Sequence, residues 1–384
     1  MKNIVQTIKS IDWILMLSSL MLVFFGLTTM RSFGVAGDIS VQYFFTRQIV
    51  WIALSLIIFC IALFIDWGFF KTNSVFLILF YIIILLMLVV VLVGNQSVRG
   101  AESWLNVGFI KLEPSEFMKP VLLLLLAKYF SRRHVEIARI RTLIVSGIYV
   151  FIPTLLVFLQ PDFGSAALLG FLWLGMSLVG GIRIRHLISL FVVGLIAAIF
   201  IWQFLLLPYQ KSRIVSFVNP GSDVRGTGYH STQSMIAVGA GELLGRGIGY
   251  GTQSRLAFLP EHETDFIFAA FAEEWGFVGV LIFLLFFGIV VWRILRTGIY
   301  AESNFERLFS AGLSLLIFFQ ASIHIGMNMG ILPITGLSMP LVSYGGSGLV
   351  TIFLSMGILQ SMSLHKKGVL LDFERRYEDG IVGA

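Results

Sequence analysis

Apolar residues in this chain fall into ten long runs separated by short polar breaks. They lie at roughly 12–31, 44–65, 73–94, 114–130, 143–160, 163–180, 187–207, 264–291, 308–330 and 345–364. A helix of about 20 residues spans the roughly 30 Å hydrocarbon core of a bilayer, so each run predicts a transmembrane helix. The fourth to sixth runs are short and their borders least defined. Lys2 and Lys9 precede the first run as they would in a signal peptide. That run is about 20 residues long and lacks a small-residue cleavage site, so it reads as a retained span. The expected fold is an all-α integral membrane protein of about ten helices, forming one polytopic domain over residues 1–384.

One polar insertion interrupts the pattern, at 208–263. It is too short for an independent core of normal size. Glycines recur through it, and its middle, STQSMIAVGAGELLG, has an amphipathic pattern. Re-entrant or surface helices are expected there. Residues 365–384 form a short polar tail.

Composition agrees with a membrane protein: 57% of residues are hydrophobic and only 12% charged. The single cysteine, Cys60, cannot form an internal disulfide, so cysteine usage leaves the redox compartment undetermined. The net charge of +6 reflects where the cations sit and does not suggest nucleic acid. With the N-terminus inside, the inner segments collect 17 of the 27 Lys and Arg residues, and the reverse arrangement collects only ten. The positive-inside rule therefore predicts cytoplasmic termini, with loops 95–113, 208–263 and 331–344 facing outward.

Against this background the acids in Leu259–Gly279, LPEHETDFIFAAFAEEWGFVG, stand out. A carboxylate at membrane depth costs several kcal/mol, roughly 2.5–3.5 by insertion scales. Thr264 is a candidate N-cap, which would put Asp265 in the first helical turn, where the dipole favours an anion. Glu261, His262 and Glu263 crowd the loop just before it. Helical geometry puts Glu273 about 80° round from Asp265 and about 12 Å deeper, with Glu274 on the opposite face. The three cannot form one tight carboxylate pair. Glu273 or Glu274 is expected to support the structure by pairing with a cation on a neighbouring helix.

Three further constellations are candidates. In Arg99–Trp104 and Lys111–Pro120, Pro114 suits a first helical position, Glu116 falls in the first turn, and Lys119 lies on the same face. Lys111, Glu116 and Lys119 thus make a site for an anionic ligand, or Glu116 and Lys119 simply satisfy each other. Trp104 is an interfacial aromatic or a cover for a sugar or isoprenoid. Lys211, Arg213, Arg225, Arg246 and Arg255 run against the charge trend and suggest a phosphate or pyrophosphate on the outer side. Finally, the stretch from Leu332 to Gly348 carries Pro333, Pro340, Ser343, Gly345 and Gly346. Prolines and paired glycines at membrane depth imply irregular backbone that is buried in protein or lines a cavity. The chain has no P-loop, HExxH, Cys/His metal spacing or GxSxG, which removes support for ATP-driven transport and serine hydrolysis.

YHSTQSMIAVGAGELLGRGIGYGTQ, LPEHETDFIFAAFAEE, PITGLSMPLVSYGGSG and WLNVGFIKLEPSEFMK resemble signature regions of the SEDS family (shape, elongation, division and sporulation). The resemblance runs from the first span to the last, and its phrasing around GYH and LAFLPE is nearer the elongation type than the division type. It implies a ten-span peptidoglycan glycosyltransferase that polymerises lipid II on the outer face of the cytoplasmic membrane. It also implies a class B penicillin-binding protein as partner, within a set of elongation proteins. The family's essential acid falls on Asp265, its PSE…K positions on Glu116 and Lys119, and its loop tryptophan on Trp104. Two departures are visible. His262 sits one place earlier than in many members, with Glu263 in its place, and Ser103 stands where many have Arg.

The residue chemistry fits such a reaction. A lipid pyrophosphate leaving group needs cations more than a proton donor, and an acceptor hydroxyl needs a base, so one carboxylate can suffice. Asp265 is the expected general base. Lys119 and some of Lys111, Arg213, Arg225, Arg246 and Arg255 are expected on the pyrophosphate, with Glu261, His262, Trp104 and Glu116 among the substrate contacts and Thr264 in support. No dedicated metal cage is visible, and whether Mg²⁺ or Mn²⁺ assists stays open. The rival readings are a lipid-linked precursor flippase, the division or sporulation counterpart of the same polymerase, and a non-catalytic scaffold.

Overall fold

The computed structural model describes residues 11–33, 39–94, 104–107, 110–133, 140–219, 227–256, 258–259 and 261–382. Helices occupy all ten apolar runs: α1 (Trp13–Ser32), α2 (Ile39–Phe64), α4 (Val75–Val93), α5 (Pro114–Ser131), α6 (Ile140–Leu159), α7 (Phe163–Val179), α8 (Ile184–Phe200), α12 (Ile267–Ile299), α13 (Asn304–Asn328) and α14 (Gly346–Val382). Short helices α3 (Phe69–Thr72), α9 (Pro208–Val218), α10 (Thr227–Ala240) and α11 (Thr252–Arg255) lie between them. A small antiparallel hairpin, β1 (Leu105–Val107) and β2 (Ile110–Leu112), precedes α5. Among the described residues, eight helices are long and apolar enough to cross a membrane. Of the other two, α5 carries Glu116, Lys119 and Lys128, and α7 has 17 residues, the lower end of the spanning range of about 17–25. The chain is a multi-pass helical membrane protein.

Helices α5 and α13 form the centre. α5 packs on α4, α6, α7, α13 and α14, and α13 packs on α12, α7 and α10 as well. At the other extreme no residue of α8 is buried, and a five-residue π-helical turn, Ile201–Leu205, ends it. A largely apolar helix with no buried residue suits a lipid-facing position. The end of the bundle away from Asp265 is tied by Asp12, which caps α1 through the Leu15 N–H and takes Arg293 Nη2 at 2.7 Å.

The 208–263 insertion folds as short helices, with α10 lying against α12 and α13. Its glycine-rich part is clasped into a break in α12. At Gly276 the backbone leaves helical geometry, with φ at +66°. The break frees hydrogen-bonding groups, and the insertion takes them. Phe277 N and Val278 N donate to the Glu242 and Leu243 oxygens at 2.9 and 3.1 Å. Arg246 N and Gly247 N donate to the Glu273 and Glu274 oxygens, both at 3.0 Å. Only a glycine permits this approach: a Cβ at Gly245 would sit 2.1 Å from the Glu274 oxygen.

Candidate active site

Asp265 lies in a turn over 261–266, and α12 begins only at Ile267 with Phe266 as its N-cap. This corrects the expectation that Thr264 caps the helix with Asp265 in its first turn. Thr264 Oγ1 instead leans back on the Glu261 oxygen at 3.4 Å, and the N–H of Asp265 donates to the same oxygen at 3.0 Å. Glu261 holds a left-handed φ of +47° to close this turn.

The irregular backbone predicted around Pro333 and Pro340 is present and partly buried, and it holds the turn from outside. Ser343 Oγ donates to the Thr264 oxygen at 2.7 Å and accepts the Met339 N–H at 2.7 Å. Tyr344 N donates to the Glu263 oxygen at 2.8 Å. On the near side, Gly336 leaves room beside the Asp265 carboxylate, where a Cβ would come within 3.8 Å of Oδ2. Gly346 at the start of α14 lets the Trp51 ring pack directly on its backbone, whereas Gly345 faces open space.

Burial pushes the Asp265 carboxyl up to about 6, with Arg213 of α9 and the Thr264 hydroxyl pulling the other way and Asp162 adding to the rise. Asp162 was not among the residues singled out from the sequence. It caps α7 by accepting the Ser165 N–H at 3.0 Å, and burial raises its own carboxyl too. A lone acid in the polar break between the fifth and sixth apolar runs was the available signal.

A second set of charges adjoins the first. Lys119 and Glu116 form a buried ion pair on α5, and Lys119 Nζ also reaches Gln320 Oε1 at 3.5 Å. The two side chains satisfy each other in the structure. Asp162 is felt electrostatically by Lys119 and Glu116, so this pair belongs with Asp265 in one polar centre. Glu113, at the N-cap of α5, is held well above the usual carboxylate range by burial and by its neighbours Glu116 and Asp162. Its N–H donates to Ser347 Oγ at 3.1 Å, joining α5 to α14.

The remaining candidates make contacts of their own. Among the described residues neither Glu273 nor Glu274 forms the expected ion pair; the Glu273 carboxylate instead caps α11, accepting from Gln253 N at 2.9 Å, Ser254 N at 3.3 Å and the Thr252 and Ser254 hydroxyls. Glu274 Oε1 accepts the Gly249 N–H at 3.0 Å. Arg246 Nε and Arg255 Nη1 donate to carbonyls of their own loop, Ala240 and Gly249. His262 packs edge-on to Phe33 with ring centroids 4.3 Å apart, and its Nε2 lies 3.5 Å from Glu263. Trp104 and Lys111 are exposed at the hairpin. Arg225 lies outside the described residues. Among the described residues, no three His, Cys, Asp or Glu side chains are grouped to hold a metal ion.

A half-buried acid with a raised pKa, a cation acting on it and a buried ion pair near by form a polar cluster at one end of the helical bundle, the kind of arrangement that marks a candidate site. The chain belongs to the FtsW/RodA/SpoVE family of cell cycle proteins, whose pattern matches residues 9–368. It is 41% identical over 270 residues to peptidoglycan glycosyltransferase MrdB of Escherichia coli K12, covering 70% of this chain and 72% of that protein. It is 36% identical over 321 residues to the probable peptidoglycan glycosyltransferase FtsW of Haemophilus influenzae, covering 83% and 80%. Its fold superposes with a TM-score of 0.78, at 28% identity, on a chain of a peptidoglycan synthase complex that coordinates polymerization and crosslinking, covering 92% of this chain and 98% of that one.

Proposed function

We propose that this chain is a peptidoglycan glycosyltransferase of the cytoplasmic membrane that polymerises lipid II for cell elongation, with Asp265 as general base at the outer face. The observation that carries the reading is the carboxylate of Asp265, raised to about 6 by burial and standing beside Arg213. A base poised near the working pH transfers protons efficiently. Charge supports the orientation: Lys71, Lys128, Arg132, Arg133, Arg183, Arg185, Arg293 and Arg296 all sit at the ends of helices remote from Asp265.

In the step proposed, the 4-hydroxyl oxygen of the acceptor sugar attacks the anomeric carbon of the donor. Its proton passes to the Asp265 carboxylate and from there to solvent. The bond from that carbon to the pyrophosphate oxygen breaks, and its electron pair leaves with the polyprenyl pyrophosphate. Arg213 meets the growing charge. Lys119, already neutralised by Glu116, organises the centre rather than binding the anion directly. Arg246 and Arg255 hold the clasped loop. A divalent cation, Mg²⁺ or Mn²⁺, would enter with the pyrophosphate. The likeness to a chain of a synthase complex supports a class B penicillin-binding protein as partner.

The test uses the purified chain with fluorescent lipid II, with and without its cognate penicillin-binding protein. Glycan polymer lost in Asp265→Ala supports the reading. Lipid II translocation across liposomes with no polymer under any condition would replace it with the flippase reading.

A further inference from the structure

The main-chain oxygen of Asp265 is held by a side chain from another helix. Asn328, the last residue of α13, is fully buried. Its Oδ1 accepts the N–H of Ala269 at 3.1 Å. Its Nδ2 donates to the main-chain oxygen of Asp265 at 3.0 Å and to that of His324 at 2.8 Å. A primary amide has two N–H donors, so both are committed. Ser234 of α10, itself fully buried, donates its hydroxyl to the Asn328 main-chain oxygen at 2.8 Å. His324 in turn meets the Leu337 oxygen through Nδ1 at 2.7 Å, so the same cluster reaches the proline-bearing segment.

These bonds explain how α12 starts without a cap of its own. The side chain of its N-cap, Phe266, makes no capping bond, and Ala269 is one of the first-turn N–H groups that a helix leaves without a partner. Asn328 supplies the missing acceptor from another helix. The other end of the same planar amide grips the peptide of Asp265. The carboxylate therefore hangs from a Cα whose carbonyl is fixed to α13 and whose N–H is fixed to Glu261.

We propose that Asn328 is a positioning residue that holds Asp265 at its reacting geometry. The proposal rests on the reading of Asp265 as base. Among the described residues, the charges acting on the Asp265 carboxylate are Arg213 from α9 and Asp162 ahead of α7; Glu261, His262 and Glu263 share its turn, Asn328 links it to His324 of α13, and the 331–345 segment presents Gly336. Asn328→Ala removes none of these groups, so a shift in the pH profile reports how firmly the turn holds the carboxylate.

Steady-state lipid II polymerisation by purified Asn328→Ala, measured across pH, tests this. A displacement of about 1 Å at a reacting group costs on the order of 10²-fold, so kcat should fall roughly 10- to 100-fold with KM nearly unchanged. The acid limb should move down from near pH 6 toward the ordinary aspartate value of about 4 as the turn loosens and water reaches the carboxylate. Wild-type kcat with an unmoved limb overturns the proposal, as does a loss that follows the fraction of folded protein with the limb unmoved. If Asn328→Ala gives no monodisperse protein, Ser234→Ala decides: a several-fold loss in kcat at constant KM supports the proposal, and wild-type behaviour overturns it. Asp265→Ala, run alongside, separates the two readings. Wild-type polymerisation by that variant removes the base and the positioning role together. An inactive Asp265→Ala beside a wild-type-like Asn328→Ala removes the positioning role alone.

Discussion

The Ser343 hydroxyl donates to the main-chain oxygen of Thr264 at 2.7 Å, across 79 positions of sequence, and so fixes the peptide immediately before Asp265. Its oxygen also accepts the Met339 N–H. Ser343→Ala leaves both groups without this buried partner, at a cost of about 1–3 kcal/mol each when unsatisfied. The variant should fold with a lowered Tm and lose up to about 10²-fold in polymerisation rate through misplacement of Asp265. Thermal unfolding in detergent beside a lipid II assay checks both effects.

Glu116 and Lys119 make a different prediction because they neutralise each other inside the bundle. Removing one partner strands a buried charge, which typically costs about 3–5 kcal/mol. Glu116→Gln and Lys119→Met should each yield little folded protein. The double variant should recover folding while staying impaired in polymerisation, since it restores neutrality but not the polar centre. A double-mutant cycle on yield, Tm and rate reads the coupling.

Asp265 also links stability to pH. Its folded pKa is about 6, above the ordinary value of 3.8, so the native state holds its proton more tightly than the unfolded chain. Stability from this group is fully present below pH 3.8 and is lost as pH rises through about 6. Asp265→Asn, a mimic of the protonated form, should therefore be more stable than wild type at pH 8, by on the order of 1–3 kcal/mol. The gain should vanish near pH 4. Tm against pH for the two proteins measures it.

Glu273 predicts a local effect remote from the chemistry. Its carboxylate holds the first turn of α11 and keeps the glycine-rich loop against the break at Gly276. Glu273→Ala should raise hydrogen exchange in residues 246–256 while amides near Asp265 keep their protection. Exchange mass spectrometry distinguishes this from global loosening.

Much of this arrangement was legible because lipid imposes simple rules. Length and apolarity place the ten helices, and the cost of a carboxylate at membrane depth singles out Asp265. The prolines at 333 and 340 announce irregular backbone. What was not legible depends on contacts between distant segments. Local preference favoured Thr264 as cap, but Asn328, 59 residues beyond Ala269, supplies the acceptor. Glu273 looked in need of a cation because an isolated helix offers it nothing else, and a loop some 20 residues earlier brings N–H groups to it. That Arg246 and Arg255 would each give one N–H to a carbonyl of their own loop was not legible either, since it depends on how the loop folds back. Asp162 nears Asp265 only once α7 packs on α13.

The most direct test is the single-turnover rate of lipid II polymerisation by Asp265→Asn, which keeps the size of the side chain but replaces one acceptor oxygen with an NH2 donor and abolishes the base. The account predicts a folded protein that binds lipid II as wild type does and polymerises it on the order of 10²–10⁴-fold more slowly. Polymer formation at near wild-type rate by that variant would contradict it.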